Sequence, residues 1–383
     1  MANVAMVVTN ACNPDPRVIK SAKWLVEQGH NVTIHAFDRQ QSSPKNATID
    51  GVNIVRYHLG LLPYGGLLRT GLGIRKFQNA VIKNLTSNCP SVVICHDADT
   101  LRVGCKVKKK LGSKVIFDMH DLQHTWVLMN NPNSLIRKGI SKLMKRYMLT
   151  RLPQTDQILT SSGSLEGGKF PGFKQWLEQY GYDSVVVENR PQKSSLLTPP
   201  NSSSWTVSHI GRIRDLASIR LLLEAIKSIP ENQRPTLHIA GDGTAYNEVR
   251  QEITNFSRDF GLNYQLSESY GMDELGQVLE NTNIMYAIYN PQRGNINDGA
   301  LSVKMFDAAS FGIPSVVNAN CLMGEICEKE SLGEAVTWND VNQLTEALLK
   351  LKNHRVNLAK TDEPFKEKYL AQFDSVLGNK RIV

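Results

Sequence analysis

Short apolar runs alternate with longer amphipathic stretches along almost the whole chain, and this alternation predicts repeated strand–helix units. Residues 4–9 form an apolar run that closes into a polar loop over 10–16. From about residue 17 to 28, Val18, Ala22, Leu25 and Val26 recur at helical spacing, and Gly29 supplies a stop. A second strand is expected over 32–37. Strands at 92–95 and 114–118 bracket a basic helix near 101–111, and further strands are expected at 157–161 and 184–188. Strands separated by helices of this length predict a parallel, doubly wound sheet.

The pattern breaks between residues 189 and 205, where three prolines and five serines occur without periodicity, the composition of a linker. It then restarts. Strands are expected at 206–210, 236–240, 283–287 and 316–318, with helices at 219–229, 246–260 and 303–311. The reading is α/β: two doubly wound, Rossmann-like domains, one over 1–195 and one over 196–361, with a last helical segment at 362–383. In open sheets of this kind ligands bind beyond the carboxyl ends of the strands, so a cleft between the two domains is the expected site.

Composition narrows the picture. At 383 residues the chain exceeds one ordinary core, and 41% hydrophobic with 21% charged residues is globular usage. No run of 18 apolar residues appears, and the first residues lack a basic segment ahead of an apolar one, so neither a membrane span nor a signal peptide is expected. Six cysteines without metal or disulfide spacing fit reduced thiols in the cytoplasm. The formal charge of +8 favours a polyanion: a nucleotide, a nucleic acid or an anionic membrane surface.

The segment 302–317 carries the most chemistry. It reads as a helix opening from the Gly- and Asn-rich loop 293–301, ending at Gly312 and passing through Pro314 into a strand. Backbone N–H groups at such a helix start, with Lys304 in the first turn, suit a phosphate, and Asp307 lies on the same face. Arg212 follows a strand and Gly211, where a guanidinium can bridge phosphate oxygens. His120 stands at a strand end among Asp118, Asp121 and His124. Their i, i+2, i+3 spacing is poor metal geometry, so no metal is assigned. Asp15 and Pro16 suit the start of a helix, leaving Arg17 to face the cleft. The segment 135–152 is basic and amphipathic: its apolar stripe is expected to pack inward while its charges face anionic lipid, and residues 59–77 form a second such candidate.

These residues resemble those of GT-B-fold glycosyltransferases, and within them the retaining family 4. The resemblance runs through Asp15-Pro-Arg-Val-Ile-Lys, His96-Asp97, Phe117-Asp-Met-His-Asp121, Val185-Val-Val-Glu-Asn-Arg-Pro191, Gly211-Arg-Ile213, Leu221-Leu-Leu-Glu-Ala225, His238-Ile-Ala-Gly-Asp-Gly243 and the segment from Lys304 to Val317. It implies transfer of a sugar from a nucleotide diphosphate, a UDP-sugar before a GDP-sugar, to a glycan or lipid-linked acceptor. Retention, no metal and no cofactor are implied, with the donor on the C-terminal domain, the acceptor on the N-terminal domain, and the last helix crossing back to the latter. Arg212 and Lys304 would hold the diphosphate and His120 the transferred sugar. Asn10, Ala11, Arg214, Gly241, Asp298, Ser302, Val303, Met305 and Asp307 would join Gly211 around the donor. Arg17, His96, Asp97 and Asp121 would face the acceptor. Three positions depart from the family pattern. Ala217 stands where a basic residue is usual, Gly299 where the first of two glutamates falls, and Asn10-Ala11 where a glycine pair is usual.

Other readings follow from the same residues. An inactive sugar-nucleotide-binding partner would account for Ala217 and Gly299, and an inverting enzyme would use Asp118 or Asp121 as base. A sugar-nucleotide epimerase shares the fold. A nucleic-acid binder lacks its aromatic interleaving and helix-turn-helix signature here.

Overall fold

The computed structural model describes residues 1–13, 15–61, 67–129, 131–192, 194, 205–292 and 294–378, so most of the linker segment lies outside the described residues. The chain divides into two compact units. The first holds Met1–Gly163, Phe173–Glu188 and the chain from Glu363 onward. The second holds Ser164–Gly172 and Asn189–Asp362.

The first unit is built on an eight-stranded sheet: β1 (Asn3–Val8), β2 (Asn31–Phe37), β3 (Asn46–Ile49), β4 (Val52–Tyr57), β5 (Val92–His96), β6 (Lys114–Met119), β7 (Gln157–Thr160) and β8 (Val185–Val186). The order is β3-β4-β2-β1-β5-β6-β7-β8, parallel except for the β3–β4 hairpin. β1, β2 and β5 are almost entirely buried, as strands covered by helices on both faces must be. The helix Pro16–Glu27 begins as its sequence dictates: Asp15 accepts from Val18 N, and Pro16 occupies the first turn, where its missing N–H costs nothing. The last helix, Glu363–Leu377, packs in this unit, with Tyr369 edge-on to Trp24 at 5.6 Å.

The second unit has six parallel strands: β9 (Thr206–Ile210), β10 (Thr236–Ala240), β11 (Tyr264–Ser267), β12 (Ile284–Ala287), β13 (Ser315–Asn318) and β14 (Gly333–Val336), in the order β11-β10-β9-β12-β13-β14. Asp215 caps the helix Leu216–Ser228 by accepting from Ala217 N and Ser218 N. The excursion Ser164–Gly172 is tied down where Lys169 N donates to Glu325 at 2.7 Å. Arg190 is 1% exposed, forks onto Glu330 at 2.5 and 2.9 Å, and lies over the Phe306 ring at 4.1 Å. The start of the segment read as a linker is therefore fixed within this unit.

Periodicity did not mark β3 or β11, and the reason is exposure: both are edge strands with largely solvated side chains. Neither β14 nor the helices Leu67–Asn88, Leu322–Lys329 and Val341–Leu351 were assigned from the sequence. Among the described residues no helix is long and apolar enough to cross a membrane.

Each sheet reverses its order once, between β1 and β5 in the first unit and between β9 and β12 in the second. In each unit the side chains discussed next stand at the carboxyl ends of the strands beside this switch point.

Candidate active site

In the second unit the site grows from the ends of β9 and β12. His209, next to last in β9, is 4% exposed, and its Nδ1 lies 3.0 Å from Tyr286 O. That carbonyl can only accept, so Nδ1 carries the proton and Nε2 is left to accept from Lys304 Nζ at 3.1 Å. Burial, then the Lys304 charge, hold the His209 pKa well below the usual histidine value, so the imidazole is neutral. Lys304 Nζ also lies 5.6 Å from the centre of the Tyr289 ring. Tyr289 in turn exchanges a 2.8 Å hydrogen bond with Ser302 Oγ. Ser302 is the N-cap of the helix Val303–Ser310 but makes no side-chain cap bond, because its hydroxyl is engaged with Tyr289. The opening N–H groups of that helix are those an α-helix leaves without internal partners.

Glycines admit the cation to this corner. Gly211 has φ +90, and a Cβ there would stand 3.4 Å from Lys304 Cε, so the lysine stem runs across the residue preceding Arg212. Gly241, with φ +132, meets Gly211 so closely that an added Cβ would lie 2.1 Å from Gly211 O. No other residue fits there. Arg212 is exposed and donates to Asp242 at 2.6 Å, and Arg214 is exposed beside it. Asp307 is half-buried near Tyr270, whose hydroxyl pKa is pushed up to about 12 by burial and then by the Asp307 charge.

Three expectations change here. Met305 is fully buried in the core beside Phe306 and Val317, so only its backbone can face a ligand. The loop before the helix is not simply open, since Gly294–Asn297 forms a short helix within it; Arg293 lies outside the described residues. Gly299, the position where the family pattern places an acid, has φ +100 and sits against the 171–172 backbone. A Cβ would lie 2.5 Å from Gly172 Cα, so no glutamate can occupy the position, and half-buried Asp298 is the adjacent carboxylate.

In the first unit the carboxyl ends of β5 and β6 place His96 opposite Asp118 in register. Arg17, expected to face the cleft, is buried against Asp118 at the end of β6. It is 7% exposed, its Nη2 and Nε meet Asp118 Oδ1 and Oδ2 at 2.5 and 3.2 Å, and its Nη1 donates to Val187 O at 2.7 Å. A buried carboxylate needs partners, and Arg17 supplies a permanent positive charge to both oxygens. His120 Nε2 lies 3.0 Å from Asp118 Oδ2 and 3.1 Å from His96 Nδ1. Burial alone would raise the Asp118 pKa, but Arg17 and then His120 outweigh it and hold the carboxyl well below its usual range. Burial alone would lower the His120 pKa, yet Asp118 and Asp97 hold it above the usual value. Burial keeps His96 below, against its bond to Asp118, and His96 Nε2 is buried without a hydrogen-bond partner. His96, Asp118 and His120 offer ligand atoms within 4.8 Å of one another. Both Asp118 oxygens are already engaged by a guanidinium, so a metal ion there would face the Arg17 charge directly. The cluster is arranged to share protons.

Asp97 has φ +64 and ψ 165, a backbone region that glycine alone adopts without strain. It is pinned by Asp97 N donating to Asp118 O and by His120 N donating to Asp97 Oδ1, both at 3.0 Å. Burial, opposed by His120 and reinforced by Asp99 and Asp121, pushes the Asp97 pKa up to about 7. A raised carboxyl contributes stability that is complete below its unfolded value of 3.8 and is lost as pH climbs through about 7. We therefore expect Asp97→Asn to melt progressively higher than the wild type as pH rises from 4 to 7, with the gap constant above 8. A pH-independent gap in thermal melts would refute the assignment.

The loop after β1 is self-contained. Asn10 Nδ2 donates to Asp15 Oδ2 and Asn10 Oδ1 accepts from Cys12 N, both at 2.7 Å, while Ala11 O accepts from Arg56 Nε at 2.8 Å. These bonds shape the loop. Asp121 accepts from Leu122 N at 2.7 Å and from Trp126 Nε1 at 3.1 Å. Sequence reasoning missed His209, Tyr289 and Tyr270. The signal for His209 was its place next to last in a strand that runs into Gly211-Arg212. Nothing local marked the two tyrosines.

Residues 205–354 match the family model of glycosyl transferases group 1. The chain as a whole has the GT-B fold, and the match of its second unit together with that fold makes it a glycosyltransferase. Similar solved structures include a sucrose-phosphate synthase from Thermosynechococcus elongatus, 12% identical over 98% of this chain and 96% of that one, with a TM-score of 0.72. The lipopolysaccharide outer core galactosyltransferase WaaB is 15% identical over 100% of both chains, with a TM-score of 0.59. HepE from Anabaena, solved in complex with UDP and glucose, is 12% identical over 99% of this chain and 100% of that one, with a TM-score of 0.63. No curated protein sequence matches the chain.

Proposed function

We propose that the chain transfers a sugar from a UDP-sugar to an acceptor that carries an apolar group, with retention, at an anionic membrane surface. The observation that carries the donor half is the Lys304–His209 contact. A neutral imidazole holds an ammonium at the mouth of a glycine-lined switch point, beside a helix start and Arg212, where the charge of a departing diphosphate can be met. HepE, with UDP and glucose bound, supports a UDP-sugar over a GDP-sugar. In this reading Lys304, Arg212 and the helix N-terminus neutralise the leaving group, and no metal is assigned that task.

On the acceptor side, His120 and Asp97 would orient the reacting hydroxyl, with Arg17 positioning Asp118 behind them. Both oxygens of Asp118 and both of Asp121 already accept hydrogen bonds, which leaves neither as a ready base and supports retention with the leaving phosphate taking the acceptor proton. A second reading rests on Asp97: a carboxyl pushed up to about 7 suits a general base, and inversion would follow. The anomeric configuration of the product decides between them.

An apolar groove in the first unit supports an acceptor that carries an apolar group. A groove of about 400 Å³ runs between the helices Leu67–Asn88 and Leu135–Leu149, lined by Ile74, Leu143, Met144 and Met148, and reaches Asp99 and Gln123 near the site. The helix Leu135–Leu149 also departs from its sequence reading. Leu135, Ile136 and Leu143 are 82, 77 and 68% exposed, while Ser141 and Met148 alone are buried. Its outward face thus mixes apolar tips with Lys138, Lys142 and Arg146, a composition suited to lying against anionic lipid.

A thermal-shift screen of UDP-, GDP-, ADP- and CMP-sugars tests the donor. Stabilisation by UDP-sugars, lost in Lys304→Met, is expected; a response to none of them, or one indifferent to Lys304, would overturn the reading.

A further inference from the structure

The first unit carries a second concentration of charge that the proposed reaction does not use. The helices Leu67–Asn88, Leu101–Leu111 and Leu135–Leu149 hold four, five and five lysines and arginines, and not one aspartate or glutamate. Between the first two of these helices and the turn that follows the third, a pocket of about 480 Å³ is lined by Arg75, Arg102, Lys106, Lys109 and Arg151, with Thr150 and Gln154. No acidic residue lines it. Among the described residues none of the five cations stands in an ion pair, unlike nearby Lys108, which meets Asp156 at 2.7 Å. Lys109 lies in the last turn of a helix that feeds β6, and Gln154 just precedes β7. The pocket therefore lies toward the amino ends of these strands, away from His96 and His120 at their carboxyl ends.

Five like charges around one cavity repel one another, and solvated side chains would be expected to splay. Two of them are held in place. Arg151 is stacked on Tyr147 at 3.6 Å, and its Nη1 donates to Tyr147 O at 2.8 Å. Arg102 is half-buried, with Gln78 Oε1 at 3.4 Å. Burial first, then Arg75, draw its pKa below the usual guanidinium value, with Arg151 acting the same way and Tyr147 opposing. The fold thus tolerates an electrostatic cost here that an anion would remove, and guanidinium forks match the paired oxygens of a phosphate.

We propose that this pocket is a second anion site, which takes the phosphomonoester or diphosphate group of a ligand distinct from the sugar donor. The group could belong to a membrane lipid headgroup or to a soluble phosphate compound, and the chemistry of recognition is the same for both. Arg75 also borders the apolar groove, so a headgroup held here would set the membrane against the face already rich in exposed leucine and isoleucine.

The test uses the full chain in a Lys304→Met background, so that anion binding beside Lys304 is not read as binding in the pocket. Inorganic pyrophosphate is titrated calorimetrically into this protein and into the same protein carrying Arg75→Gln with Arg102→Gln. Removing each charge-assisted hydrogen bond is expected to weaken binding by about tenfold, while Lys138→Gln with Lys142→Gln, on the outward helix face, leaves it unchanged. Because the pocket substitutions relieve repulsion, their melting temperature should not fall; if it does, Lys106→Ser with Lys109→Ser gives the same reading. Co-sedimentation with vesicles of phosphatidic acid or phosphatidylglycerol at equal surface charge then separates the sources. A preference for phosphatidic acid that vanishes in the pocket variant assigns the headgroup, and pyrophosphate binding without such a preference assigns a soluble ligand. Pyrophosphate binding that is absent, or equally strong in the pocket variants, would overturn the proposal.

Discussion

Lys304→Met is expected to lower turnover of the donor sugar by about two to three orders of magnitude, the usual cost of removing one preorganised charge or donor from a developing oxyanion. The argument is geometric. Lys304 Nζ is held by His209 Nε2 at 3.1 Å, and that nitrogen accepts because Nδ1 is committed to Tyr286 O. The ammonium is thereby aimed before any ligand arrives and needs little reorganisation when phosphate charge develops. Methionine keeps the length and apolar body of the stem that crosses Gly211, so the fold should survive. The loss should fall mainly on kcat, with a smaller rise in KM, since the charge on the diphosphate grows as the sugar departs. His209→Gln is expected to show a weaker form of the same defect, because an amide oxygen can still accept from Lys304 but is not fixed by a ring. Initial-rate kinetics on both variants check this. Unchanged kcat in Lys304→Met would remove the leaving-group role.

The sequence exposed those parts of the molecule whose signal is local. The helix Tyr246–Phe260 has the bounds expected from its spacing, since Val249, Ile253 and Phe256 are an uninterrupted buried stripe. Lys304 and Arg212 stood out in the sequence because glycines and a strand end announce a backbone open to close approach. Contacts between distant segments were not. Arg17 and Asp118 are 101 residues apart, and nothing near either one says that it is buried against the other. Strand β3 escaped because an edge strand exposes much of its length and needs little apolar character. The stripe of the helix Leu135–Leu149 was placed on the wrong face for a related reason. Spacing shows that apolar residues cluster, but only packing decides which of them are covered.

The buried pair itself supports the second large effect. Arg17→Met is expected to destabilise the first unit by about 3–5 kcal/mol, because it strands a buried carboxylate and removes the donor to Val187 O. Isolated loss of charge attraction would cost less; the penalty comes from Asp118, which is 1% exposed and cannot be rehydrated in place. Arg17→Met combined with Asp118→Asn should recover much of the loss, since a neutral amide has no charge to strand. The pH dependence follows from the sign of the Asp118 shift. A carboxyl held well below 3.8 in the folded state contributes stability that is present above that value and is lost as pH falls through its folded pKa. Without Arg17 the principal cause of the lowering is gone and the Asp118 pKa must climb, so the variant takes up a proton at a higher pH than the wild type. The stability gap between the two should be widest near neutrality and narrow on acidification. Scanning calorimetry between pH 4 and 8 reads it directly, and a gap that stays constant, or widens toward pH 4, would show that Arg17 is not what keeps Asp118 ionised.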